Sequence, residues 1–99
     1  MKNLNKLLRQ ANNDLLMFIK NNKDMPTKQR NKLKLLLRNN IDMSIEHNLD
    51  NPNKQIVNLF EDNMDNMVST DLINSEEYKR IYNKIFSINC FIWVKYILF

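Results

Sequence analysis

The segment Ser75-Glu76-Glu77-Tyr78-Lys79-Arg80-Ile81-Tyr82-Asn83-Lys84-Ile85-Phe86-Ser87 is the plainest helix in this chain. Tyr78, Ile81, Tyr82, Ile85 and Phe86 recur at steps of three, one, three and one. Those steps bring them to one side of a 3.6-residue spiral. Ser75 is a good N-cap because its hydroxyl can accept from an orphan N–H of the first turn. Glu76 and Glu77 then place negative charge where the helix dipole favours it.

The same reading extends upstream. A helix is expected from Lys54 to Met67, with Ile56, Leu59, Phe60, Met64 and Met67 as its apolar face and Glu61, Asp62 and Asp65 in water. The polar break Ser69-Thr70-Asp71 separates it from the next helix, and the turn cluster Asp50-Asn51-Pro52-Asn53 precedes it. Leu4, Leu8, Ala11, Leu15 and Phe18 predict a helix over Lys2 to about Asn21. Pro26 ends that stretch, since it disfavours helical backbone at Met25 and lacks an N–H. Thr27 is the expected N-cap of another helix running from Lys28 to about Arg38, burying Leu33, Leu36 and Leu37 and closed by Asn39-Asn40. Residues 41–53 read as a connector. No Asn-Gly or other hairpin signal occurs, and the chain has no glycine at all. The expected fold is all-α, a small bundle of three to four helices.

The end of the chain differs. Ile88 to Phe99 is nearly all apolar, yet a membrane-crossing helix needs about 20 apolar residues, and Lys95 interrupts this run. Periodicity leaves three readings: a strand or helix extension packed on the domain, a non-native ending, or a membrane-surface contact of residues 91–99, the least favoured.

Composition excludes several chemistries. The chain has 99 residues, enough for one small domain, with a formal net charge of +4. Without glycine there is no phosphate-cradling loop. One cysteine, Cys90, excludes an internal disulfide framework and a cysteine-based zinc site, and one histidine, His47, excludes a His-rich metal centre. No cofactor is expected. Eighteen asparagines and eleven lysines against four arginines are what AT-rich codons produce, as in a large DNA virus or another AT-rich genome. Lys2, Lys6 and Arg9 interrupt the early leucines, so no signal peptide is read there and an intracellular location is expected.

Two windows taken together resemble a known family. Arg30-Asn31-Lys32 is followed by the leucines up to Leu37. Phe60-Glu61 is then followed by Glu77-Tyr78-Lys79, Tyr82 and Ile85-Phe86-Ser87. Their order and spacing resemble the central domain of the transcription elongation factor TFIIS over roughly residues 28–89. On that resemblance the chain divides into an N-terminal helix (1–25), a TFIIS-central-like helical domain (26–89) and an apolar tail (90–99). The departures are specific. Phe60 replaces the family's Ile. Ile81 and Asn83 stand where it carries two basic residues, and Arg80 and Lys84 are displaced by one. Ile88 replaces the Asn after Ser87. The family's four-cysteine ribbon, whose acidic tip assists RNA cleavage, is missing, and Glu76-Glu77 lies at a helix start instead.

The resemblance implies a non-catalytic module docking on a DNA-dependent RNA polymerase during elongation, in the nucleus or, for a viral protein, at a cytoplasmic replication site. The contact residues it points to are Arg30, Lys32, Lys79, Arg80 and Lys84, which would line one basic face of two helices. A weak nucleic-acid contact would suit the same charge, with Tyr78, Tyr82 and Phe86 as base-stacking candidates, although their spacing is more simply a core stripe. The alternative is a small helical accessory or viral protein binding a host protein through an apolar groove or the tail, or a membrane-associated protein using the tail. A Cys90–His47 pair has no orienting third group, and Glu61, Asp62 and Asp65 read as a solvated acidic face.

Overall fold

The computed structural model describes residues 3–69, 72 and 75–98, and Lys2, Thr70, Asp71 and Phe99 lie outside them. Four helices follow one another: α1 (Leu4–Asn21), α2 (Thr27–Glu46), α3 (Lys54–Val68) and α4 (Glu76–Leu98). Each begins for a local reason. The Asn3 side chain accepts from Lys6 N at 3.0 Å, Asn53 accepts from Ile56 N at 3.0 Å, and the Ser75 hydroxyl accepts from Tyr78 N at 3.3 Å. At α2 the expected Thr27 cap is replaced. Pro26 occupies the N-cap position, makes no side-chain cap, and leaves Thr27 as the first helical residue.

The helices form a ring in which α1 touches α2 and α4, and α3 touches α2 and α4, while the two diagonals do not meet. Cross-helix bonds give the direction of each neighbour. Asn5 at the start of α1 reaches Ser44 and His47 at the end of α2, and Arg30 at the start of α2 reaches Ile19 and Asn22. Lys32 reaches Ser69, and Tyr78 reaches Met67. Every neighbouring pair is antiparallel, so the architecture is an up-down-up-down four-helix bundle, 44 × 22 × 21 Å.

One core runs through all three sequence segments, from Leu4 and Leu8 through Leu33, Phe60 and Tyr78 to Ile88 and Ile92. Each fully buried Leu, Ile or Phe contributes about 1.5–3 kcal/mol relative to exposure. The apolar stripe of α1 is buried as its spacing predicts, whereas on α4 only Tyr78, Ile81 and Ile85 of the five-residue stripe are fully inside.

One boundary differs from the expectation, and at the tail one of the open readings is the one found. Asn39-Asn40 does not close α2, which continues through Glu46. Asn40 is fully buried, and its Oδ1 accepts from Asn63 Nδ2 on α3 at 3.0 Å. That inter-helix amide bond offsets the modest helix penalty of asparagine, a few tenths of a kcal/mol. Met43 and Ser44 then bury on the next turn. The apolar tail, in turn, extends α4 without a break to Leu98. Ile88 and Ile92 continue the buried stripe of Ile81 and Ile85, so the tail's first turns are held by the core. Among the described residues no helix is long and apolar enough to cross a membrane.

Candidate functional site

The five cations singled out in the sequence do not share one face. Arg30 is half-buried. Its Nη1 donates to Ile19 O at 2.8 Å and its Nη2 to Asn22 O at 2.5 Å, filling carbonyls left open at the end of α1. Asn5 does the reciprocal job, its Nδ2 donating to Ser44 O at 2.8 Å and His47 O at 2.9 Å at the end of α2. The α1–α2 hairpin is thus clamped at both ends by side chains from the opposite helix. Lys32 donates to Ser69 Oγ at 3.1 Å, linking α2 to the end of α3.

On α4, Lys84 pairs with Asp14 of α1 at 2.5 Å, with both side chains about half exposed. An exposed pair of this kind contributes at most about 1 kcal/mol. Arg80 lies beside it, lining a shallow α1–α4 groove with Met17, Glu77 and Ile81. Lys79 is exposed and turned about 100° from Arg80 around the helix. The structure therefore brings Arg80 and Lys84 together. It places Lys79 on another side of α4, and Arg30 and Lys32 on α2 at the opposite corner of the ring.

Arg30→Ala is accordingly expected to lower stability by about 1.5–3 kcal/mol, the size of bonds from a charged donor. The check is the urea midpoint followed by helical circular dichroism. A midpoint unchanged from wild type would remove the clamp.

A different segregation of charge emerges when the exposed residues are followed helix by helix. On α1, Lys6, Arg9 and Lys20 are exposed against Asp14. On α2, Lys28, Lys34 and Arg38 are exposed, with Asp42 and Glu46 only near its end. Helix α3 is the reverse, with Glu61, Asp62 and Asp65 exposed against Lys54. Lys34 and Arg38 follow Arg30 at steps of four on the flank of α2 that meets α1, so they stand toward the cations of α1, while α3, the other neighbour of α2, carries the carboxylates. The signal lay in the sequence as a charge balance per helix, but only the ring order makes the two basic helices adjacent.

The remaining candidates resolve individually. Tyr78 is fully buried, with its ring 5.5 Å from Phe18 and its hydroxyl donating to Met67 O at 2.9 Å, so it has no face for a base. Tyr82 and Phe86 stack on each other at 6.1 Å, and Phe86 keeps nearly half its surface in water. His47 caps α2, which does not touch the helix carrying Cys90. Glu61, Asp62 and Asp65 stay on the surface, and Glu61 accepts from Trp93 Nε1 at 2.7 Å. Among the described residues no three His, Cys, Asp or Glu side chains gather where a metal ion would sit. A hollow of about 720 Å³ lies between the Asp50–Lys54 loop and Tyr96. Its Asp50 and Lys95 are already paired to each other at 3.4 Å.

Comparison with protein-family models, with curated proteins and with solved structures finds no match for this chain.

Proposed function

We propose that this chain is a non-catalytic helical module that holds an acidic macromolecular surface on the basic side formed by α1 and α2. The observation that carries this reading is the segregation of exposed charge, with Lys6, Arg9, Lys20, Lys28, Lys34 and Arg38 on two adjacent helices and the carboxylates of α3 elsewhere. A basic side of this kind steers an acidic partner into encounter and fixes its orientation, with a strength that falls as salt rises. No reaction step is required of any residue.

The partner we propose is a DNA-dependent RNA polymerase, on the support of the resemblance of residues 28–89 to the TFIIS central domain. The basic start of α2 belongs to the resembling segment. Arg80 and Lys84 lie across α1 from α2 and would extend the contact, whereas Arg30 and Lys32 position α2 within the bundle. The place of action follows the polymerase, in the nucleus or at a cytoplasmic viral replication site. The test is capture of the tagged full chain from its source cells at low salt, with identification of the large proteins retained. Polymerase subunits that elute as salt rises are the expected result. Retained partners that exclude polymerase would overturn the polymerase assignment, and retention that salt does not move would overturn the electrostatic reading.

A further inference from the structure

The junction of α3 and α4, on the side of the ring away from α1 and α2, sets carboxylates beside exposed apolar side chains. Trp93 marks the join. Its Nε1 donates to Glu61 Oε1 at 2.7 Å, which ties the ring to the neighbouring helix with 42% of the residue in water. Phe86, two turns before Trp93 on the same side of α4, is 46% exposed, and Ile97, one turn after it, is 56% exposed. On α3, Asp65 follows Glu61 at a step of four, so both stand on the flank that meets α4, and both are exposed. Asp65 lies between Glu61, which reaches Trp93, and Met67, which reaches Tyr78, so it borders the stretch of α4 that holds Phe86.

We infer that this junction docks a cationic amphipathic helix of another protein, its apolar residues resting on Phe86, Trp93 and Ile97 and its Lys or Arg side chains on Glu61 and Asp65. Local charge selects that occupant. The chain as a whole carries +4, yet the charged groups of α3 flanking Trp93 and Phe86 are carboxylates. The cations of this side stand outside the acidic stretch or are already paired. Lys79 precedes Phe86, and Lys54 precedes Glu61, by seven residues, about 10 Å of helix in each case. Lys95 is paired with Asp50 at 3.4 Å. Phe86 to Ile97 spans about 16 Å, the length of a three-turn helix.

Trp93 and Glu61 together make a specific place for a cation. A Lys or Arg is attracted to the face of an indole, and the carboxylate at the ring's edge accepts a hydrogen bond from the same group. An acidic segment would instead meet like charge at Glu61 and Asp65. A lipid surface is disfavoured by the same pair, since both carboxylates would have to leave water, whereas a protein interface keeps such a rim wet. The ion pairs, being exposed, choose the partner, and the apolar contact holds it.

The inference is independent of the acidic-partner reading, which uses the opposite side of the bundle. Trp93 is the chain's only tryptophan, so its emission reports this site alone. The test titrates the full chain with a synthetic, tryptophan-free three-turn helix bearing leucines on one face and lysines beside them. A matched peptide carries glutamates in place of the lysines. The lysine peptide is expected to shift the Trp93 emission saturably, despite the chain's net positive charge, and the glutamate peptide to leave it unmoved. Glu61→Gln with Asp65→Asn should weaken the lysine peptide roughly tenfold, the size of two exposed ion pairs. Lys34→Glu with Arg38→Glu, on the basic side, should leave its affinity unchanged. The two-peptide comparison needs no substitution, so it stands if a variant unfolds. Equal responses to both peptides, or none up to hundred-micromolar peptide, overturn the inference. So does undiminished affinity in the folded Glu61→Gln, Asp65→Asn chain, or a wild-type chain that covers Trp93 by self-association before peptide is added.

Discussion

Tyr78→Ala is expected to remove a large part of the bundle's stability, about 3–5 kcal/mol. Its ring lies fully inside, tilted against Phe18, and its hydroxyl reaches from α4 to the Met67 carbonyl at the end of α3. It therefore ties the far end of α1 to both halves of the α3–α4 hairpin at once. Truncating a buried aromatic costs about 3–5 kcal/mol through lost transfer energy and the cavity left behind. A domain of this size is stable by only about 5–15 kcal/mol. Tyr78→Phe keeps the ring and removes the hydroxyl alone, so it should cost about 1–2 kcal/mol, the range of a lost hydrogen bond with a buried acceptor. Urea titration followed by circular dichroism separates the two. Equal midpoints for both variants would show that the ring carries no packing role. A native midpoint for Tyr78→Ala would remove Tyr78 from the core.

The second large effect concerns the buried asparagines. Asn63 donates to Asn40 Oδ1 at 3.0 Å in the interior, and Asn39 reaches Asn63 Oδ1 at 3.5 Å. Asn63→Ala strands the Asn40 amide in an apolar surround, and the expected loss is about 2–3 kcal/mol, cavity included. Replacing both partners, Asn40→Leu with Asn63→Leu, removes the stranded group together with its bond. The double variant should be close to wild type or more stable. A double-mutant cycle in urea reads this directly, and additive losses would contradict the pairing. Asn12 marks the opposite case. It is buried on α1, and neither of its side-chain polar atoms has a hydrogen-bond partner among the described residues. Asn12→Leu should raise stability by about 1 kcal/mol, since it removes an unpaid desolvation cost.

These asparagines also explain where the sequence could and could not be read. The leucine spacing of α1 and the Ser75-Glu76-Glu77 start of α4 are local signals, and the helices they predict are there. Asn39-Asn40 looked like a stop because asparagine competes with the helix through its own side chain. What keeps α2 going is a partner on α3, which no local window contains. The tail was ambiguous for a related reason. A twelve-residue apolar run fits a strand or a helix equally well until the Ile81–Ile85 stripe is seen to continue into Ile88 and Ile92.

The candidate site was legible only in its charge. Arg30 reads as a free cation in a list of basic residues, yet its guanidinium closes the end of α1, because that helix end lies within reach across a five-residue turn. Conversely, Lys34 and Arg38 are exposed on α2 and carry no motif of their own. They follow Arg30 at steps of four, on the flank of α2 that meets α1, whereas Asn39 marks the flank that meets α3.

The most direct test of the central claim is the salt dependence of partner retention for the wild-type chain beside Lys34→Glu with Arg38→Glu. Both side chains are exposed on α2, so the folded bundle is expected to survive the exchange. The account predicts that the wild type holds its acidic partner at low salt and releases it progressively, while the reversed pair fails to hold it at any salt. Equal retention by the two proteins across the whole salt range would contradict the claim that the basic side of α1 and α2 is the gripping surface.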